Sequence, residues 1–163
     1  MKRLAIAIAV GLFPFLISAQ QKAVENLFNR YQGIEGVTTV MIGPEMFQVM
    51  KSLNIEEIEG NEFPVDKLTS VRILSIEDND KFPGINFYEE VRKDLELDDF
   101  TEVMTVNDGN ETVRMWMKNQ DTQILEFLLI VGGGDNVLIY ITGNFNMNDI
   151  EGIAESLDQD IDI

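Results

Sequence analysis

The chain has no cysteine and no histidine among its 163 residues. Their absence removes disulfides, thiol nucleophiles, Ser-His-Asp and Cys-His relays, and the usual zinc ligand sets. Proline is sparse, with four residues, and Trp116 is the single tryptophan. No base follows Lys118, so Asn119 to Ile163 carries acids alone. The formal charge is −17, from 29 acids against 12 bases. This balance repels nucleic acid and anionic lipid and favours solubility. A cationic partner or a divalent metal is the sharper reading of it. No apolar run reaches the roughly 20 residues a membrane helix needs.

The longest apolar run, Leu4 to Ile17, is broken by Gly11 and Pro14 and preceded by Lys2 and Arg3. Ile17-Ser18-Ala19 is a small-residue cleavage site, and polar Gln20-Gln21-Lys22 follows it. Residues 1–19 therefore read as a signal peptide and 20–163 as one mature domain. Cleavage deepens the formal charge from −17 to −19, because two bases are lost and no acid. The expected compartment is outside the cytoplasm, periplasmic or extracellular, with no membrane insertion after cleavage. The mature length suits one hydrophobic core, and no linker or repeat divides it.

Hydrophobic periodicity sets the element order. Val24, Leu27, Phe28 and Tyr31 make one stripe of a helix over 23–31. Val37 to Ile42 reads as a strand, and Gly43-Pro44 opens a second helix with Met46, Val49, Met50 and Leu53 inward. Residues 54–66 read as irregular, 68–76 as a strand with Val71, Ile73 and Leu74 inward, and 78–84 as a loop. A third helix is expected over 85–96, with Ile85, Tyr88, Val91 and Leu95 on its core face. Strands at 101–106, 112–118, 123–131 and 137–142 are joined by short Gly- and Asn-rich turns, which force an antiparallel meander. Ile124 to Val131 is almost wholly apolar, as in a central strand covered on both faces. A last helix, about 148–159, starts at a capping box of Asn148 and Glu151, with Ile150, Ile153, Ala154 and Leu157 inward. The expected fold is α+β: one largely antiparallel sheet of about six strands with helices packed on it.

No motif names a chemistry. No serine sits in a Gly-x-Ser-x-Gly turn. Gly132-Gly133-Gly134-Asp135 lacks the Lys-Ser/Thr of a phosphate loop and precedes a strand, so it reads as a hairpin turn. Glu89, Glu90, Asp94, Asp98 and Asp99 cluster on and after the third helix. Two facing acids would suit a glycosidase, but the outer face of an amphipathic helix carries such charges anyway. Asn144, Asn146 and Asn148 with Glu155, and Asp78-Asn79-Asp80, only faintly resemble calcium loops and read better as a cap and a turn. No catalytic residue, cofactor or metal ligand is therefore assigned. Arg114, Trp116 and Lys118 share one face of a strand, opposite Val113, Met115 and Met117, and the methionine face is expected in the core. The Arg-Trp-Lys stripe is the candidate binding surface, set against a helix-covered indole flanked by snorkelling cations.

Two stretches carry a likeness. FNRYQGIEGVTTVMIGPEMFQVM, Phe28 to Met50, holds a Gly-Val strand and a Met-Phe helix. YITGNFNMNDIEGIAESL, Tyr140 to Leu157, holds a strand, a Gly-x-Phe turn and a short amphipathic helix. With the export signal, they resemble domain-of-unknown-function family 4252, small exported proteins of Gram-negative bacteria. The resemblance covers most of the mature chain and implies no activity and no site residues. It implies an envelope protein, in some cases encoded near extracytoplasmic sigma-factor systems. The expectation is a non-enzymatic binding or interaction domain with an envelope protein as partner; the alternative is a carboxylate-dependent glycan or cell-wall hydrolase.

Overall fold

In the computed structural model the stripe of Val24, Leu27, Phe28 and Tyr31 is buried along helix α1, Ala19–Tyr31. The structure describes residues 19–55, 57–58, 61–76, 81–150 and 153. The cleavage segment before Ala19, Asp78-Asn79-Asp80, Glu155 and most of the last helix lie outside these residues. Strand β1, Val37–Ile42, leads to helix α2, Pro44–Ser52, whose proline stands in the first turn as expected. Two short strands, β2 at Glu57–Ile58 and β3 at Asn61–Glu62, form a small hairpin where the sequence predicted irregular chain. Then come β4 (Leu68–Ile76), α3 (Phe87–Val91), β5 (Thr101–Asp108), β6 (Glu111–Gln120), β7 (Gln123–Gly132) and β8 (Asn136–Phe145).

The fold is α+β. Six strands make one antiparallel sheet in the order β1-β4-β8-β7-β6-β5. The meander β5 to β8 is built as predicted, and β8 then inserts beside β4. Alternation along the strands divides the core into two layers. On one face Leu74, Leu128, Ile130, Leu138 and Tyr140 pack under α1 and α3. On the other Val71, Ile73, Phe127 and Ile141 pack under α2 and the Phe63–Val65 loop. Leu74 is thus buried as fully as Val71, but on the opposite side.

Four local expectations are corrected. In α2 the residues that enter the core are Phe47 and Met50, while Met46, Val49 and Leu53 are exposed at 51 %, 49 % and 63 %. Both helix faces are apolar, so periodicity cannot choose between them; the stacking of Phe47 on Phe63 selects the aromatic one. Helix α3 spans five residues, not twelve. Asn86 caps it by accepting from the Glu89 N–H, and beyond Arg92 the chain turns so that Leu95, Leu97 and Phe100 reach the same core. The predicted Gly-x-Phe turn is continuous strand, with Phe145 fully buried. The final cap is Asn146, not Asn148. Asn146 Oδ1 accepts from the N–H groups of Asn148 and Asp149, while Asp149 Oδ2 accepts from the Asn146 N–H. This reciprocal box sits two residues early because β8 runs to Phe145, and residues 147–150 follow as helix.

Gly143 explains why β8 can pass so close to the start of β4. A Cβ there would stand 2.2 Å from the Lys67 carbonyl oxygen, which accepts from the Asn144 N–H at 2.7 Å. Gly143→Ala is therefore expected to destabilise the fold by roughly 1–3 kcal/mol through overpacking, read from a urea melt. An unchanged midpoint would mean that the backbone there gives way freely.

Candidate functional site

Residues paired directly across an antiparallel sheet share a face. Arg114, Trp116 and Lys118 stand with Thr105, Glu102 and Glu126 on the α1–α3 face. Trp116 is only 5 % exposed. Tyr88 stacks on it with centroids 6.5 Å apart and planes 14° from parallel, and the Arg114 guanidinium lies 5.5 Å from the Tyr88 centroid. The structure thus brings all three stripe residues together under α3 and Phe100. Contact of a ligand with the indole would require Tyr88 to move.

The two cations are held by side chains of the fold. Arg114 Nη1 donates to Glu102 Oε1 at 3.2 Å and also to Thr105, clamping β5 to β6. Lys118 Nζ lies 3.5 Å from Asp99, 3.7 Å from Glu126 and 5.8 Å from the Phe100 ring centroid. Of the acids clustered around α3, Glu89 pairs with Arg92, Glu90 with Arg30, and Asp99 with Lys118. Among the described residues no three metal-ligating side chains converge, and Asn146 is spent on its cap.

Two phenols anchor to acids on this face. Tyr140 donates to Glu126 and Tyr31 donates to Glu90 at 2.6 Å. Burial, with the neighbouring carboxylate, pushes Tyr31 up to about 12 from 10.0 and moves Tyr140 up as well. In both cases the unfolded chain releases the proton first. Their stabilisation is complete below pH 10.0, and that of Tyr31 is lost as pH rises through about 12. The melting temperature is expected to fall above pH 10, and less steeply for Tyr31→Phe. Equal alkaline slopes would contradict this.

The opposite face is built differently. One row takes a residue from each strand: Val40, Ile73, Ile139, Leu129, Met115 and Met104. The next row is Thr38, Ser75, Val137, Val131, Val113 and Val106. Neither row contains a charge, although 25 % of the chain is charged. Helix α2 and residues 147–150 accompany a neighbouring row, where Val71, Ile141 and Phe127 are buried. Over β8, β7 and β6 the cover thins, although Ile139, Leu129 and Met115 still pack against this buried cluster. Leu138 is fully buried on one face, whereas Ile139, Leu129, Val131 and Met115 remain partly exposed on the other. At the edge Met104 and Val106 are 45 % and 43 % exposed. β7 is a central strand as predicted, but only one of its faces is fully covered. A partly covered apolar sheet face of this kind is a candidate contact surface. The sequence places Val113, Met115 and Met117 on the core face of β6. Met115 and Met117 do pack against the core but stay partly exposed, and on the neighbouring edge strand Met104 and Val106 are exposed.

Among the described residues no helix is long and apolar enough to cross a membrane. A family model described as "Domain of unknown function (DUF4252)" matches residues 31–153. Comparison with curated proteins and with solved structures finds no match. The match spans both halves of the sheet and both of its faces, and on it the chain belongs to the DUF4252 family.

Proposed function

We propose that this member of the DUF4252 family is an exported, non-enzymatic binding domain of the Gram-negative envelope, and that it engages a macromolecular partner through the open face of its sheet. One observation carries this reading: two cross-sheet rows without a charge, left partly bare at Met104, Val106, Met115, Leu129 and Val131. In a chain with a formal charge of −17, a bare apolar strip is a costly thing to leave in water unless it meets something. The segment with Lys2, Arg3 and the apolar run to Ile17 supports export.

The test is in-cell photo-crosslinking. A photoreactive residue at Val131 or Met104 is expected to yield a discrete adduct. One at Met41, exposed on the α1–α3 face, is expected to yield none. N-terminal sequencing of the purified protein should begin at Gln20 or Gln21. Silence at Val131 and Met104 alongside adducts at Met41 would overturn the assignment of the surface, and an intact Met1 would overturn export.

A further inference from the structure

We infer that the occupant of the open face is an amphipathic helix with basic flanks, supplied by another protein; this rests on the reading of that face as the binding surface. The size fits one helix. The bare strip crosses β5, β6, β7 and β8, three inter-strand steps or about 14 Å, and the two rows lie about 7 Å apart along the strands. A helix is about 10 Å wide, and ten residues of it span about 15 Å. The covered face of the same strands is packed by helices. Three methionines lie on the strip's side of the sheet, Met104 and Met115 on it and Met117 beside it, and give it the adaptability of surfaces that accept helices.

Charge decides the partner's sign. Eight of the ten described bases lie in the α1–α3 face or the chain packed on it, from Lys22 and Arg30 to Arg114 and Lys118. On the open side stand Lys51 and Lys67, and each is already paired, with Asp66 and Asp149. Asp108 and Glu111 face each other across the β5–β6 hairpin, one step beyond the Val106–Val113 pair on the same face. Like charges directly opposite are destabilising, and the ion pairs among the described residues involve neither acid. A lysine or arginine at the end of a docked helix would relieve them. A second copy of this chain would bring more acid to the same place.

The probe is a fluorescent 15-residue peptide of leucine and lysine with one apolar helical face, measured by anisotropy against the purified chain. A leucine–glutamate peptide of the same pattern is the control. The leucine–lysine peptide is expected to bind and to become helical, and the control to bind at least tenfold more weakly. Asp108→Asn with Glu111→Gln should weaken binding about tenfold and flatten its salt dependence. Met104→Thr with Val106→Thr, which keeps strand-compatible side chains, should weaken it by at least as much. Equal binding of the two peptides, or indifference to both variant pairs, would overturn the inference. A dimer that Met104→Thr with Val106→Thr dissociates would overturn it in favour of a second copy, and adsorption to phosphatidylcholine vesicles in favour of lipid. In the case of a second copy, crosslinks from Val131 would persist and the binding surface would stand. A lipid occupant would overturn the macromolecular-partner reading as well, and silence at both Val131 and Met104 would remove the surface itself.

Discussion

Trp116→Ala is expected to destabilise the domain by roughly 3–5 kcal/mol. The indole is buried on β6 beneath Tyr88 and belongs to the layer that holds α1 and α3 on the sheet. Truncation removes its burial and leaves a cavity, because the strand beneath cannot close over it. At about 2–4 °C per kcal/mol for a domain of this size, the melting temperature should drop by about 10 °C. Lys118→Ala should cost far less, since its ion pairs with the exposed Asp99 and with Glu126 are long, at 3.5 and 3.7 Å. A loss below about 1 kcal/mol for Trp116→Ala would show that the indole is not part of the core.

Asn136→Ala is expected to cost about 2–4 kcal/mol, from one buried and one partly buried backbone group left without a bond. Asn136 is the one buried polar residue among those described, at 1 % exposure. Its Oδ1 accepts from the Phe87 N–H at 2.9 Å and its Nδ2 donates to the Ile85 carbonyl at 3.2 Å. One side chain on β8 therefore fixes the start of α3, a helix too short to hold itself. The loss should also be visible at a distance. Freed from its anchor, α3 carries Tyr88 off Trp116, and the tryptophan emission should shift to the red below the melting transition. A destabilised variant with unchanged emission would mean that α3 stays seated without Asn136.

How far the fold was legible in the sequence depended on how one-sided each element is. Helix α1 was readable because Val24, Leu27, Phe28 and Tyr31 stand against polar neighbours. Helix α2 was not, because Phe47 and Met50 compete with an equally apolar stripe at Met46, Val49 and Leu53, and only the contact with Phe63 decides. The meander followed from short turns, and Gly109 does hold the positive φ that the Asp-Gly pair implied. The cap moved because Asn146 and Asn148 offer the same chemistry, and the length of β8 chooses between them. Alternation placed Arg114, Trp116 and Lys118 on one face, but not the position of Tyr88 above them. The open face was hidden for a related reason. The apolar run Ile124 to Val131 states that a strand can be buried on both sides; how much cover each side receives depends on helices distant in sequence.

Methionine oxidation gives the most direct measurement of that open face, because the chain carries its own reporters. Met104 and Met115 lie on the strip, Met41 is 58 % exposed on the other face, and Met50 is buried at 5 %. In the purified chain, brief oxidation should modify Met41 and Met104 readily, Met115 more slowly and Met50 least. In intact cells Met104 and Met115 should be protected at least several-fold while Met41 stays reactive. Oxidation of Met104 and Met115 to the same extent in cells as in the purified chain would contradict a partner on this face.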